Sequence, residues 1–243
     1  MERQHTPWVL VAQSRSGSTW FNHVLASHPC VVSANELLMS NATARRLFQG
    51  SSDQIKRVLA DIVQRTRDQA RRGNCTSTAG GVKLKLAERD VTFGSTGNSG
   101  RVVTAMFDLG WRVILLERTN FLDHFLAFAS RQATGVLHCS SHQECNRSLL
   151  NSSLRVECEG AKHSIDRLRL RSRVTHLLFE PHRNDSRFLQ VEYERLVRRP
   201  ADWLKLLSFI GMPASDACLL HDDTAKRILQ TQYAQWVSTS ASP

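Results

Sequence analysis

Six consecutive residues near the N-terminus, Arg15-Ser16-Gly17-Ser18-Thr19-Trp20, put one guanidinium, three hydroxyls and a glycine directly behind the apolar run Trp8 to Gln13. Such a set is suited to holding an anion. Glycine lets the backbone turn its N–H groups inward, the hydroxyls add donors, and the positive end of a following helix favours negative charge. The lysine-containing loop of nucleoside triphosphate enzymes, GxxxxGK[ST], aligned on Gly17, would put its lysine at Ser18 and its first glycine at Ala12, so two of its four defining positions are lost. The ligand must do without that lysine. Arg15 is the cation of this loop, and its planar fork can reach a bridging oxygen between a phosphate and a transferred group.

The elements that must position these groups alternate in type. Trp8 to Gln13 reads as a strand, and Trp20, Phe21, Val24 and Leu25 recur at helical spacing until His28-Pro29. Cys30 to Ser33 is a second short apolar segment. Asp53 to Arg72 predicts a charged surface helix with Ile55, Val58, Leu59 and Ile62 on one side. The stretch Gly80 to Glu88, GGVKLKLAE, alternates as a strand does and puts Lys83 and Lys85 on one face, whereas Thr92 to Arg101, TFGSTGNSGR, reads as a Gly/Ser-rich loop. Trp111 to Arg118 predicts a buried strand, followed by a helix carrying Phe121, Leu122, Phe125, Leu126 and Phe128. Residues 135–160 show no periodicity and read as a Cys-containing insertion or irregular loop. A helix follows with Leu170, Val174, Leu177 and Leu178 inward, then a strand from Phe188 to Glu192, a turn near Pro200 and a helix ending at Gly211. The alternation predicts a single α/β domain over residues 1–243, three-layered, with a mainly parallel central sheet flanked by helices.

The segments SRSGSTWFNHVLASHP, LLERTN and VEYERLVRRPADWLKLLSFIGMP, in that order, resemble the sulfotransferases that use 3'-phosphoadenosine 5'-phosphosulfate (PAPS), a P-loop-like fold, with a pattern similar to the carbohydrate and related bacterial-type branches. The resemblance touches residues 8–38, 82–131 and 188–213. It implies PAPS as sulfuryl donor and no metal. It also implies a cradle of Arg15, Ser16, Gly17, Ser18, Thr19 and Trp20 around the 5'-phosphosulfate, Arg118 on the 3'-phosphate, and a late cofactor-supporting EYE segment. A transferred sulfuryl group carries less charge than a γ-phosphate, which fits a loop without the lysine, and Arg15 would neutralise the leaving oxygen. In the carbohydrate branch a carboxylate follows the loop helix, which points to Glu36 as base; a helix-terminal glutamate after an Asn35 cap is the other reading, and His23 and His28 are alternative acid–base groups. Lys83 would meet sulfate or substrate, or else belong to a basic strand edge guarded against aggregation. The family places a serine eight or nine residues after the arginine, where this chain has Leu126 and Ala127, so Ser130 or Asn120 must take that part. Lys226 and Arg227 either close over the nucleotide or are solvated.

Charge and cysteines narrow the class. Among 243 residues, 32 Lys and Arg exceed 22 Asp and Glu, for a net charge of +10, which favours polyanionic ligands. Nucleic acid is not expected as a partner, since aromatic interleaving and known motifs are missing. The run Arg167, Arg169, Arg171, Arg173 reads as a solvated helix face or an acceptor surface for an acidic glycan. The six cysteines contain no CxxC pair, which argues against zinc, and Cys139, Cys145 and Cys158 cluster as either a disulfide or free thiols. N-x-[ST] occurs at Asn41, Asn74, Asn146, Asn151 and Asn184, where Ser and Thr content predicts roughly one or two. A Golgi or secretory lumen is therefore expected, with a cytoplasmic location as the alternative and any membrane attachment through an anchor beyond this chain. The acceptor is a hydroxyl, expected on a carbohydrate, and a homodimer is compatible. Two other functions stay open: a nucleotide-dependent phosphoryl-transfer enzyme needing Mg²⁺ and a strand-end carboxylate, for which Glu117 is the candidate, and a nucleotide-binding protein without turnover.

Overall fold

A computed structural model describes residues 4–34, 41–70, 75–85, 96–134 and 156–212. The chain divides into two compact units, Met1–Thr119 with Arg171–Leu219, and Asn120–Leu170 with Leu220–Pro243.

The first unit is built on five parallel strands, β1 (Gln4–Ala12), β2 (Val31–Ala34), β3 (Ser77–Leu84), β4 (Arg112–Glu117) and β5 (Phe188–Glu192), in the order β2-β3-β1-β4-β5. Registered residues of parallel strands point to the same side. Val9, Val82 and Val113 therefore form one row, and Val11, Leu84 and Leu115 the next. These rows enter a core with Leu47 and Phe48 of helix α2 (Asn41–Gln49), Ile55, Leu59 and Ile62 of helix α3 (Ser52–Ala70) and Val102, Val103, Met106 and Phe107 of helix α4 (Thr96–Asp108). The opposite rows, Trp8 with Gly81 and Leu10 with Lys83 and Ile114, face the other way. Helix α1 (Ser18–Ala26), helix α7 (Tyr193–Arg198) and helix α8 (Pro200–Phe209) cover that side. Arg112 donates to the Phe209 carbonyl, Phe21 packs on Trp203 with ring centres 5.3 Å apart, and Trp203 Nε1 donates to the Leu196 carbonyl at 3.2 Å. The result is the expected α/β sandwich of helices around a parallel sheet. Gly81 is required by packing, since a Cβ there would run into the Trp8 indole.

Several sequence expectations change. Residues 96–101 of the expected Gly/Ser loop are the opening turns of α4, because burial of Val102, Val103, Met106 and Phe107 outweighs the weak helix propensity of Gly97, Ser99 and Gly100. Residues 92–95 lie outside the described residues. The helix expected from Lys162 is α6 (Cys158–Phe179), so the last three residues of the supposed insertion are helical; residues 135–155 lie outside the described residues. Of the residues expected inward on α6, Leu178 packs partly buried against the core, but Leu170 and Leu177 are 57% and 72% exposed, and Leu168, Thr175 and Phe179 take the buried positions. A stripe at 168, 175 and 179 satisfies the helical period equally well, and Thr175 hides its hydroxyl by donating to the Arg171 carbonyl at 2.8 Å. The expected break near Pro200 is present, with Arg199 extended between α7 and α8 and Pro200 at the opening of α8.

Of the second unit, the described parts are helix α5 (Phe121–Thr134) and residues 156–170. Asn120 caps α5: its Oδ1 accepts from the Asp123 N–H at 3.2 Å while its Nδ2 donates to the Asp123 carboxylate at 2.8 Å. His124 stacks on Phe128, and Arg169 lies over Phe121 while pairing with Asp166 at 3.2 Å.

A disulfide joins Cys30, just before β2, to Cys75, just before β3, and the Ala79 N–H donates to the Cys30 carbonyl at 3.0 Å. The bridge thus ties down a four-residue edge strand. It lies outside the expected cysteine cluster, of which Cys158 is an exposed free thiol and Cys139 and Cys145 fall outside the described residues. At the start of β5, Arg187 grips the Asp185 carboxylate through Nε at 3.0 Å and Nη2 at 2.6 Å, holding the Asp185 carboxyl down at about 2, and donates to the Phe107 carbonyl at 2.6 Å.

Two outcomes follow. Cys30→Ser or reduction should lower unfolding stability by an amount on the order of 3–4 kcal/mol for a loop of this length, read from denaturant melts with and without reductant. Because Asp185 is lowered from its ordinary range, its contribution is present above about pH 4 and lost as pH falls toward about 2. Asp185→Asn should therefore flatten the acid limb of the stability curve, measured by thermal melts between those pH values.

Candidate functional site

The β1–α1 corner is shaped by two left-handed residues. Arg15 has φ 64° and Gly17 φ 85°, with Ser16 between them; among the described non-glycine residues, Arg15 alone has a positive φ. Left-handed positions interrupting an ordinary chain curl successive N–H groups toward one side, which makes an anion-binding concavity. A non-glycine residue held this way costs about 1 kcal/mol or more, a strain typical of binding sites. Gly17 is also the N-cap of α1 and offers no side chain to cap it, so the first N–H groups of the helix are turned to the same concavity.

The hydroxyls do not all serve equally. Ser16 is fully buried and its Oγ donates to the Gln13 carbonyl at 2.7 Å, so it fastens the turn, and the Ser16 N–H joins the same carbonyl at 3.3 Å. Ser18 is buried at the helix start, Thr19 is half-buried, and Trp20 turns inward against Trp203 and Tyr193, both at 5.4 Å between ring centres.

The second corner, after β4, is joined to the first. Arg118 Nη1 donates to the Arg15 carbonyl at 3.1 Å, and its guanidinium lies 5.2 Å from the centre of the Tyr193 ring. That ring also presses on Gly17, where any Cβ would collide with it. Glu194 completes the brace, accepting from Thr119 N at 3.1 Å and Thr119 Oγ1 at 3.2 Å, with Arg118 Nε 3.9 Å away. Tyr193 and Glu194 are the last two residues of the EYE segment. Sequence alone marked that segment as supporting; its contact with Gly17 needed the fold.

Lys83 lies on an interior strand and is 5% exposed, so an exposed, guarded edge is not its explanation. It shares a row with Leu10, two residues before the end of β1, and Lys85 follows the end of β3, half-buried. Ser130 is half-buried on α5 in the second unit. Asn120 is occupied as a cap. Glu36, Lys226 and Arg227 lie outside the described residues. His23 is exposed on α1, whereas His28 is buried and its Nδ1 accepts from the Cys30 N–H at 3.1 Å, a turn-forming role.

Glu117 has a different occupation from the one a metal would need. Its Oε1 accepts from Ser172 at 3.1 Å and meets His176 Nε2 at 2.6 Å, and its Oε2 accepts from Gln190 at 2.5 Å. Both oxygens are committed to joining α6 and β5 to β4. Gln13, Glu117, Arg118, Ser172 and Thr175 wall a cleft at the carboxyl ends of β1 and β4.

No protein-family model and no curated protein matches the chain. Among solved structures, a sulfotransferase domain from the curacin biosynthetic pathway is similar over 86% of this chain and 75% of its own, at 15% identity and a TM-score of 0.48. A sulfotransferase domain from the Synechococcus PCC 7002 olefin synthase is similar over 90% and 78%, at 19% identity and the same TM-score. Likeness at this level transfers no activity.

Gly17→Ala should destabilise the first unit by about 2–4 kcal/mol, combining left-handed strain with the Tyr193 collision. Tyr193→Ala removes only the collision. The double variant should thus be more stable than the sum of the two single losses, measured as a double-mutant cycle in urea.

Proposed function

We propose that the chain is a PAPS-dependent sulfotransferase that moves the sulfuryl group to a hydroxyl acceptor, on a carbohydrate by preference. The observation that carries this reading is the joining of two anion corners: the left-handed Arg15 and Gly17 loop under Tyr193, and Arg118 bonded to the backbone of that loop. A ligand with an anion at each end matches such a pair, and the bisphosphate skeleton of PAPS is one. The residues present fit the donor. The left-handed Arg15 and Gly17 curl the loop as an anion cradle requires, and Arg118 keeps a buried Nε without a hydrogen-bond partner among the described residues.

In the transfer, the bond from sulfur to the 5'-phosphate oxygen breaks as a bond from sulfur to the acceptor oxygen forms, and the acceptor proton passes to a base, for which Glu36 is the candidate. Arg15, the loop N–H groups and the α1 terminus stabilise charge on the departing phosphate, and Lys83 supports the sulfuryl oxygens. Arg118 takes the 3'-phosphate. Phosphoryl transfer with Mg²⁺ is disfavoured because the strand-end carboxylate of Glu117 is committed to three donors.

A secretory lumen is the compartment we assign, on the excess of N-x-[ST] sites and on the Cys30–Cys75 disulfide, a bond that persists in oxidising surroundings. No helix of the described residues is long and apolar enough to cross a membrane.

Thermal stabilisation by adenosine 3',5'-bisphosphate, compared with AMP and with ATP plus Mg²⁺, tests the donor. Bisphosphate at a hundred times its Kd should add about 2.7 kcal/mol, visible as a raised Tm. The gain should fall in Arg15→Ala and Arg118→Ala. A larger response to ATP plus Mg²⁺ would sink the proposal.

A further inference from the structure

Of the N-x-[ST] sites in the chain, the one at Asn184-Asp185-Ser186 lies on a described turn. Asn41 opens α2, and Asn74, Asn146 and Asn151 fall outside the described residues. The turn at Asn184 is built by its neighbours. After α6 comes a 3-10 turn, Glu180–His182, with Pro181 in its first positions. The Arg183 N–H then donates to the Glu180 carbonyl at 3.3 Å, the Asp185 N–H to the His182 carbonyl at 3.0 Å, and the Phe188 N–H to the Asp185 carbonyl at 2.9 Å. Asn184 takes part in none of these bonds.

An asparagine in a turn commonly spends its side chain on nearby backbone. Here Asp185 does that work, accepting from the Arg187 N–H at 2.8 Å and from the Arg187 guanidinium at 3.0 and 2.6 Å. Arg187 thereby offsets the one negative charge between Asn184 and Ser186. Both of those residues are exposed, and neither side chain makes a hydrogen bond to another described residue. A glycan is bulky and hydrated, so it suits an asparagine that the fold does not use and that solvent already surrounds, with a hydroxyl two residues on. Asn184 and Ser186 meet these conditions.

The position also keeps a glycan clear of the candidate site. Asn184 precedes β5, at the amino end of the parallel sheet, whereas the Gly17 loop and Arg118 follow β1 and β4 at the carboxyl end. The five residues of β5 set about 16 Å of strand between the two ends.

We propose that Asn184 is a site of N-linked glycosylation. Asn184 Nδ2 forms a bond to the anomeric carbon of an oligosaccharide while the bond from that carbon to a polyprenyl diphosphate carrier breaks. The diphosphate leaves with the bonding electron pair, and the amide proton passes to a base of the transferring enzyme. This rests on the assignment to a secretory lumen and is independent of the donor reading.

The full chain, directed into the secretory pathway of cultured eukaryotic cells, tests it. Peptide N-glycosidase in heavy-oxygen water converts each glycosylated asparagine to a labelled aspartate, which tandem mass spectrometry locates. Label is expected at position 184, and Asn184→Gln and Ser186→Ala should each lose one step of electrophoretic mobility shift, while Ser186→Thr retains it. An unlabelled Asn184 overturns the assignment, whatever the other sites carry, and so does an unaltered shift in both variants. The label on the unaltered chain decides the matter if a variant is not secreted. Protein purified from its native source separates this inference from the compartment reading. Glycans at other positions with Asn184 bare overturn the Asn184 assignment alone, whereas a native protein with no glycan at any site overturns the compartment reading and this one with it.

Discussion

A tyrosine ring pressed against a glycine sets the geometry on which the candidate site depends. Tyr193 leaves no room for a Cβ at position 17, and Gly17 in turn adopts a left-handed conformation that lets the chain pass beneath the ring. The ring also lies beside the Arg118 guanidinium and against the edge of Trp20. Loop, second corner and late helix are thereby brought together at the carboxyl ends of β1, β4 and β5, the edge of a parallel sheet where ligand crevices form.

Polar bonds give that contact its direction. Arg118 bonds to the Arg15 carbonyl, so the cation of the second corner helps hold the strained residue of the first. Glu194 fastens Thr119 and stands near Arg118, while Glu117, one residue earlier, gathers Ser172, His176 and Gln190. A half-buried carboxylate with three donors is satisfied and fixes its neighbours, whereas Gln13 and Arg118 keep atoms without a partner among the described residues.

Much of this was legible in the chain. The strands at Trp8 to Gln13, Trp111 to Arg118 and Phe188 to Glu192 are short apolar runs bounded by polar residues, and each lies within a residue or a few of the observed element. The loop was legible because Gly17 with its serines is a local signal. Helix α4 was not, since Gly97, Ser99 and Gly100 obscure a burial pattern that starts only at Val102. The face of α6 was legible only at Leu178, because Leu170 and Leu177 and the buried trio of Leu168, Thr175 and Phe179 fit the same period. Two faces of one helix are distinguishable only by what packs against them.

By itself the sequence determined the order of the strands and of most helices, the position of the Gly17 loop and the basic character of the protein. These follow from backbone preferences, side-chain periodicity and charge, all of which act over a few residues. Tertiary structure alone decided that Lys83 lies on an interior strand, that Cys30 pairs with Cys75, that Ser16 turns its hydroxyl into the loop, and that Tyr193 lies on Gly17 across more than 170 residues of chain. Those are relations between distant segments, and they depend on which rows of a sheet share a face and which atoms remain unpaired after packing. No local pattern encodes either.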